Sequence, residues 1–554
     1  MNAAPTNTEN EPGLVAELQA EPELLPARGP RLLLPGGIQT FTICARQCFE
    51  HLATTKKFFT QGDQVVELSE TASDNKKLKE LAPSEFRSRL HEFFELNILG
   101  RRGEIDAVCS VDIAKGLLDT KAAAQYLPPI QSIHNSPVFA EKEGELVVLE
   151  GGYHDVNGGT YVLSERGVAC SITLEMAKNA LLDLVSDFDF ATPADKSRCI
   201  AGFISPALRF GGLLKTHFPF DLCEAHESQS GKGFRAELIT AIYGEHPEMV
   251  ILPSDNRKGV GSVDESISTA ILSGKGFIVI DNMKGKLDLS LLESAIKDVG
   301  NSVGVRKAYS PTRQAKTDHV IWMGTSNKAE FTEDLANRAI ITRIKKKPLN
   351  YTFKNYKGLS LLEHVEKNAD FYQSCIFTLV KAWFDAGKPC NPEVQHDFRK
   401  WCGVMDWIVQ NIFNLPPLLD GHRAQQKRVS STGLNILRDI VHAISEAGRM
   451  REALLTSDIA SELEARGIEI PGKAKLSDDY NAGASAIGRA LGPLFKTVDL
   501  IEIDEFWVHR TKTLEPYEKG RIREVKWYMV TRKGEPAIWN ETSFVKPSAS
   551  GQPL

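Results

Sequence analysis

A chain of 554 residues exceeds what one hydrophobic core supports, and about three or four domains are expected. Hydrophobic residues make up 42% and charged residues 25% of the chain, the balance of an ordinary globular protein, which excludes low-complexity and collagen-like classes. With 66 basic against 72 acidic side chains the formal charge is −6, so any nucleic-acid surface must be a local basic patch.

No apolar run approaches the roughly 18–20 residues that span a bilayer. The opening, MNAAPTNTENEPG, is polar and acidic, unlike a secretory leader. A cytoplasmic protein with no membrane partner is expected. Among nine cysteines, only Cys44 and Cys48 are close, with His51 one turn on. No second ligand pair completes a metal site, so buried free thiols are expected.

In chain order, residues 1–35 are rich in Pro, Glu and Ala without periodicity and predict a disordered tail. Residues 36–170 mix helix-like stretches (CARQCFEHL, PSEFRSRLHEFFELNIL) with short strands (QVVEL, ELVVLEGGY, GTYVL) and predict a small N-terminal α/β module. From 171 to 350, leading helices, one opened by Thr192-Pro193, give way to short apolar strands alternating with helices. Strands without polar alternation imply a parallel sheet covered on both faces, hence an α/β fold. Residues 351–422 read as a helical lid or linker. Residues 423–535 run helix, helix, helix and two strands, the order of a winged helix, before a loose tail at 536–554.

The chemistry is concentrated in the parallel-sheet region. After the strand FDLCEA comes HESQSGKG, residues 226–233, and then a helix. Backbone N–H groups turned inward at a helix N-terminus cradle phosphates. Gly231 permits the tight approach and Lys232 supplies a point charge for the outer phosphates. Glu227, Ser228, Gln229, Ser230, Gly231, Lys232, Gly233 and Phe234 are therefore the candidate nucleotide-binding stretch. The match to GxxxxGK[ST] is imperfect, because His226 replaces the first glycine and Gly233 the hydroxyl residue that holds Mg²⁺. An exposed turn is the competing reading of the loop alone.

Further along, the apolar strand GFIVIDN ends in Asp281, placed beside the loop of the neighbouring strand where it can hold Mg²⁺. Asn282 cannot act as a base, which leaves Glu265 on the preceding helix as the candidate. The strand HVIWMG ends in Thr325-Ser326-Asn327, with Asn327 the candidate sensor of the γ-phosphate or lytic water. Arg338 and Arg343 in DLANRAIITRI, just past an expected helix start, are candidates for stabilising the transferring phosphoryl, as an arginine reaching a neighbouring subunit's nucleotide can. Surface ion pairing is the alternative for Arg338.

Between Val299 and Thr317 there is no acidic residue, but Arg306, Lys307, Tyr309, Arg313 and Lys316 are present in a strand, turn, strand pattern. Such a hairpin can follow a phosphate backbone and stack bases, or be a solvated surface loop. In the C-terminal region, Arg489 on a helix and Lys512, Lys519, Arg521, Arg523 and Lys526 on a hairpin are candidate duplex-phosphate contacts. Glu515, Glu518 and Glu524 dilute that patch and leave protein docking open.

SGKG at 230–233, GFIVIDN at 276–282, the hairpin before TSN at 325–327 and DLANR at 334–338 together resemble the helicase half of phage and plasmid primase-helicases. These are AAA+ P-loop ATPases near superfamily III. HNSPVF at 134–139, GGYHD at 151–155 and FRKWCGVMDWIVQNIF at 398–413 extend the likeness over roughly residues 130–415, and more loosely to the winged helix. The resemblance implies a ring, a homo-hexamer, hydrolysing ATP with Mg²⁺ between subunits and acting on DNA in replication, with replication proteins as possible partners. Lys232 and Asp281 would bind Mg-ATP, Asn327 would sense it, and Arg338 would act in trans. Gly233 and Asn282 depart from that pattern, with Ser228 and Ser230 as substitutes for the missing hydroxyl. They leave a second expectation, an interaction protein that binds ATP, turns it over little, and docks a partner through residues 425–535.

Overall fold

Capping chemistry and strand periodicity decide the local elements around the central sheet. Thr192 caps the helix α1 (Pro193–Phe210) in a reciprocal box with Asp195, as its Thr-Pro start predicts. The computed structural model describes residues 29–36, 39–70, 76–164, 167–169, 171–225, 227–252, 260–286, 289–297, 300, 302–306, 309, 312–470, 480–517 and 521–539. His226, Lys307, Glu518 and Lys519 lie outside the described residues, as do 1–28 and 540–554 of the expected tails. A strand at Arg31–Leu33 begins inside the segment expected to be a tail.

The chain divides into two compact units. The first holds residues up to Thr60, with Gln64–Glu67 and Glu80–Pro128. Its core gathers Cys44, Cys48, Phe49, Phe86, Leu90 and Leu117 from three helices. Burial pushes the Cys44 thiol up to about 12, which leaves it an inert packing group. The second unit holds Gln61–Asp63, Leu68–Lys79 and everything from Pro129 onward. Residues 129–164, expected within the N-terminal module, group with the central sheet instead.

That sheet has six strands: β1 (Asp189–Phe190), β2 (Phe220–Glu224), β3 (Glu248–Ile251), β4 (Phe277–Lys286), then, past a hairpin of β5 (Val303–Val305) and β6 (Arg313–Ala315), β7 (Ile321–Glu330) and β8 (Ala339–Lys345). Their spatial order is β1-β8-β2-β7-β4-β3, parallel throughout except for β1 at the edge. Side chains alternate between faces. Phe277 and Val279 pack into a core with α1, while Ile278 and Ile280 pack into a second core on the opposite face. Both faces are buried, so the strands read as unbroken apolar runs. Gly324 is required on β7, because a Cβ there would lie 2.3 Å from Phe220 and 2.5 Å from Met283.

Two differences from the sequence-based expectation bear on function. The strand carrying Asp281 does not neighbour β2; β7 pairs with both and lies between them. Nor do the strands end at Asp281 and Asn327. The β4–β7 ladder shifts register between Ile280 and Met283, again between Met283 and Lys284, and then runs on to Lys286 and Glu330. Asp281 and Asn282 are thus two residues facing the single Thr325, a β-bulge, with Asn282 in the left-handed region at φ 54°. The ladder resumes because Met283 and Ala329 are fully buried in the second core.

On that unit's other flank, Glu245, just beyond the helix α2 (Lys232–Ile242), is buried and accepts hydrogen bonds from Asn135 N (2.7 Å) and Asn135 Nδ2 (3.2 Å). Burial pushes its carboxyl up to about 7, opposed by Lys275 and the Asn135 N–H. Its folded pKa exceeds the usual value of 4.5, so its contribution to stability is complete below about pH 4.5 and is lost as pH rises through 7. That loss is about 3 kcal/mol, an order-of-magnitude figure. Buried His134 and His319 are held below their ordinary value by burial and oppose this trend at lower pH. Glu245→Gln should therefore make the change in melting temperature from pH 5 to 8 more positive than in the unaltered chain; an unchanged slope refutes the assignment.

Candidate functional site

The C-terminal edge of the parallel sheet gathers the polar residues that the strands' apolar centres exclude. β2 ends at Glu224, and the chain returns as α2, whose N-terminus is formed by Gly231 at φ 94°. Glycine adopts this conformation without strain. Lys232 follows at the first helical position and donates to the Glu227 carbonyl (3.1 Å) and to Ser230 Oγ (3.2 Å). Burial pulls the pKa of its ammonium down, and the neighbouring Cys223, Asp281 and Glu224 pull it back up. Lys232, which opens the helix after β2, and Asp281, on β4, lie at the same edge of the sheet, with β7 between the two strands. Ser228, Gln229 and Gly233 are exposed around the loop, and Gln229 also has positive φ at 58°. Phe234, half-buried, packs beside Phe188, with ring centroids 6.3 Å apart.

Thr325 sits between the two strands. Its hydroxyl donates to Asp281 Oδ1 and accepts the Asn282 N–H at 2.9 Å. One side chain thus orients the carboxylate and holds the bulge. Asn327, the candidate sensor, lies two positions further on, its Oδ1 buried without a hydrogen-bond partner. Sequence reading ended the strand too early: β7 runs on to Glu330, and Asn327 is the extra residue at a second register shift, between Met283–Ser326 and Lys284–Lys328. The signal for Thr325 was its place first in the polar run after HVIWMG.

Other candidates fall elsewhere. Glu265 starts the helix α3 (Val263–Leu272), and its carboxylate accepts the Gly261 N–H at 2.6 Å. Together with Arg306 and Tyr309 it lines a groove of about 580 Å³. Arg338 follows the short helix α5 (Glu333–Asn337), the next helix after α4 (Ser290–Lys297), and pairs with Asp334 at 3.1 Å. It precedes β8, whose first residue, Ala339, is opposite Phe220, so Arg338 lies at the far edge of the sheet from Lys232. The intervening strand is roughly 13 Å long at ~3.3 Å per residue. Arg343 does lie at the Lys232 edge, opposite Glu224, but it is buried and held within the chain. Its N–H donates to Asp195 Oδ1 at 2.8 Å and its guanidinium pairs with Asp504.

The hairpin β5–β6 forms as an antiparallel pair, anchored by Val303 and Val305 in the second core. Arg306 and Tyr309 project from its end, Tyr309 being 95% exposed, while Arg313 and Lys316 are half-buried on its return. In the C-terminal region, helices α6 (His422–Val429), α7 (Thr432–Glu446), α8 (Thr456–Ala465) and α9 (Tyr480–Leu494) precede β9 (Leu500–Ile503), β10 (Phe506–Tyr517) and β11 (Arg521–Arg532). Arg489 is exposed on α9. Arg521 and Arg523 are exposed near the outer end of the long β10–β11 hairpin. Arg523 pairs with Glu515 at 3.6 Å and Lys512 with Glu524 at 3.2 Å, so part of the positive charge there is compensated.

Among the described residues, no helix is long and apolar enough to cross a membrane, and no group of three or more His, Cys, Asp or Glu side chains could hold a metal ion. No family model and no curated protein matches the chain. Two solved structures align over most of its length. One is described as SCCmec type IV Cch, an active helicase: it is 11% identical, covers 84% of this chain and 90% of that chain, and has a TM-score of 0.30. The other is the A form apo structure of the NrS-1 C-terminal region: 11% identical, 88% of this chain and 100% of that chain, with a TM-score of 0.32. At these scores neither likeness bears on the chain's fold or activity.

Proposed function

We propose that the chain binds ATP with Mg²⁺ at the Lys232 loop and hydrolyses it to act on DNA, as a helicase or translocating ATPase of the AAA+ P-loop kind. The observation that carries this reading is the placement of Lys232 and Asp281 at one edge of a parallel sheet, with Thr325 on the strand between them. The loop fits a triphosphate: Gly231 turns the backbone at a helix start, and the Lys232 ammonium lies against the loop, hydrogen-bonded to Glu227 O and Ser230 Oγ. The donor set also fits Mg²⁺, which binds through one or two carboxylates, phosphate oxygens and water rather than a protein cage. Asp281 would hold it and Thr325 would keep that carboxylate oriented. The ion would neutralise charge on the transferring phosphoryl. Asn327 Oδ1, lacking a partner, is available to orient water near the same edge.

DNA would meet the β5–β6 hairpin, with Arg306 on phosphates and Tyr309 stacking on bases. In a ring of identical subunits, Arg338 would reach the neighbour's nucleotide. Replication of a phage, plasmid or other mobile element is the context proposed for it. The C-terminal region would serve as a winged helix on duplex DNA. In the test, ATP hydrolysis by the full chain is measured with and without single-stranded DNA. Stimulation is expected, and Arg306→Ala with Tyr309→Ala should reduce it by about tenfold, the scale of lost phosphate and stacking contacts. DNA-independent turnover without measurable DNA binding would sink the DNA assignment.

Asn282 in the bulge and the engagement of Glu265 with Gly261 favour a second reading, in which ATP is held with little turnover. The charge-compensated tip of β10–β11, which also exposes Leu514 and Ile522, would then dock a protein. Tight ATP binding with negligible hydrolysis separates this reading from the first.

A further inference from the structure

Glu224, the last residue of β2, is fully buried immediately before the Lys232 loop. Its carboxylate is compensated from outside the sheet. Arg428 at the end of α6 pairs with Oε2, and Arg438 on α7 lies 3.3 Å from Oε1. Arg428 is itself fixed by Gln425 (2.9 Å) and Asn435 (2.9 Å). Arg438 continues to Asp504 Oδ2 at 3.1 Å, in the turn between β9 and β10, and Asp504 closes the circuit on Arg343, the register partner of Glu224. Although burial opposes it, His442, Arg438 and Arg343 hold the Asp504 carboxyl well below the usual range. Arg343, Gln425, Arg428, Arg438, His442 and Asp504 line one cleft of about 660 Å³, together with Glu227 of the loop, and Glu224 lies buried behind them.

We infer that Glu224 is a positioning residue through which the C-terminal region regulates nucleotide affinity at the Lys232 loop. The inference rests on the nucleotide reading above. A buried carboxylate next to a triphosphate site repels the ligand unless its charge is cancelled, and in a low-dielectric setting that repulsion is strong. With Arg428 and Arg438 seated, Glu224 is neutralised and the loop presents Lys232 to the phosphates. When the C-terminal helices move away, the bare carboxylate faces the polyanion and affinity falls. Coupling is reciprocal, so bound nucleotide holds the C-terminal region in its seat to the same extent.

The test uses the full chain with Mg²⁺ and a fluorescent ATP analogue. Arg428→Gln should weaken binding about tenfold, within the usual range of couplings between sites. Adding Glu224→Gln should bring affinity back to within about threefold of the unaltered chain, because the unopposed charge is gone. A merely structural role predicts the opposite, since the double variant loses more packing and hydrogen bonds. A double variant as weak as Arg428→Gln overturns the inference. Should Arg428→Gln fail to fold, hydrogen exchange decides: the analogue should slow exchange at 436–444 and 500–508, and Asp504→Asn should abolish that slowing. Exchange there that ignores the nucleotide also overturns it. If the unaltered chain binds no nucleotide, the nucleotide reading and this inference fail together. Binding that Lys232→Ala abolishes, combined with an unrescued double variant, sinks the inference alone.

Discussion

Lys232→Ala should abolish the proposed ATP hydrolysis and weaken nucleotide binding on the order of 100- to 1,000-fold, the scale of removing one preorganised charged donor from a shielded site. The ammonium is half-buried, and its two hydrogen bonds are to the loop itself, Glu227 O and Ser230 Oγ. Removing it leaves no buried partner stranded, so the melting temperature should barely move. Loss of binding at constant stability is therefore the expected signature, read by titration with a fluorescent ATP analogue and by phosphate release. Lys232→Arg should not restore activity, because a planar fork cannot replace a compact point charge in a closed backbone loop. Undiminished binding in Lys232→Ala would remove the foundation of the proposed function.

The second large effect concerns stability. Arg235, in the first turns of α2, is fully buried and held by a two-pronged pair to Asp221 on β2, at 3.0 and 2.9 Å. This pair fastens the helix that carries Lys232 to the strand that precedes the loop. Gly202 on α1 makes room for it: a Cβ there would lie 2.4 Å from Arg235 Nη2 and 2.8 Å from Asp221 Oδ2. Asp221→Ala strands a guanidinium in the core and should cost about 3–5 kcal/mol. The combined change Asp221→Leu with Arg235→Met should cost much less, since it removes both charges and keeps volume. Denaturant midpoints of the three proteins check this, and a loss below about 1 kcal/mol for Asp221→Ala contradicts it.

Much of the loop's construction was visible in the chain because it is local chemistry. Thr192-Pro193 starts α1 through a capping box three residues wide. Gly231 sits where a left-handed residue must begin α2, and GFIVIDN reads as a strand buried on both faces. The basic stretch before Thr317 reads as a hairpin, and β5–β6 is one. Each of these depends on neighbours within a few positions, where propensity and capping act.

What the chain order could not reveal is which distant groups meet. The insertion of β7 between β2 and β4 is a matter of strand order, and it makes Thr325 the partner of Asp281. The bulge at Asp281 and Asn282 has no local marker, since it arises from the competing registers of two long strands in one core. Arg343 reads like a phosphate ligand in its own sequence neighbourhood, yet its guanidinium is claimed by Asp504, 161 positions away. Sequence by itself determined the pieces: the glycine turn, the lysine, the apolar strands and the hairpin. Tertiary structure decided their company, because charges buried far apart in the chain must find one another once water is excluded.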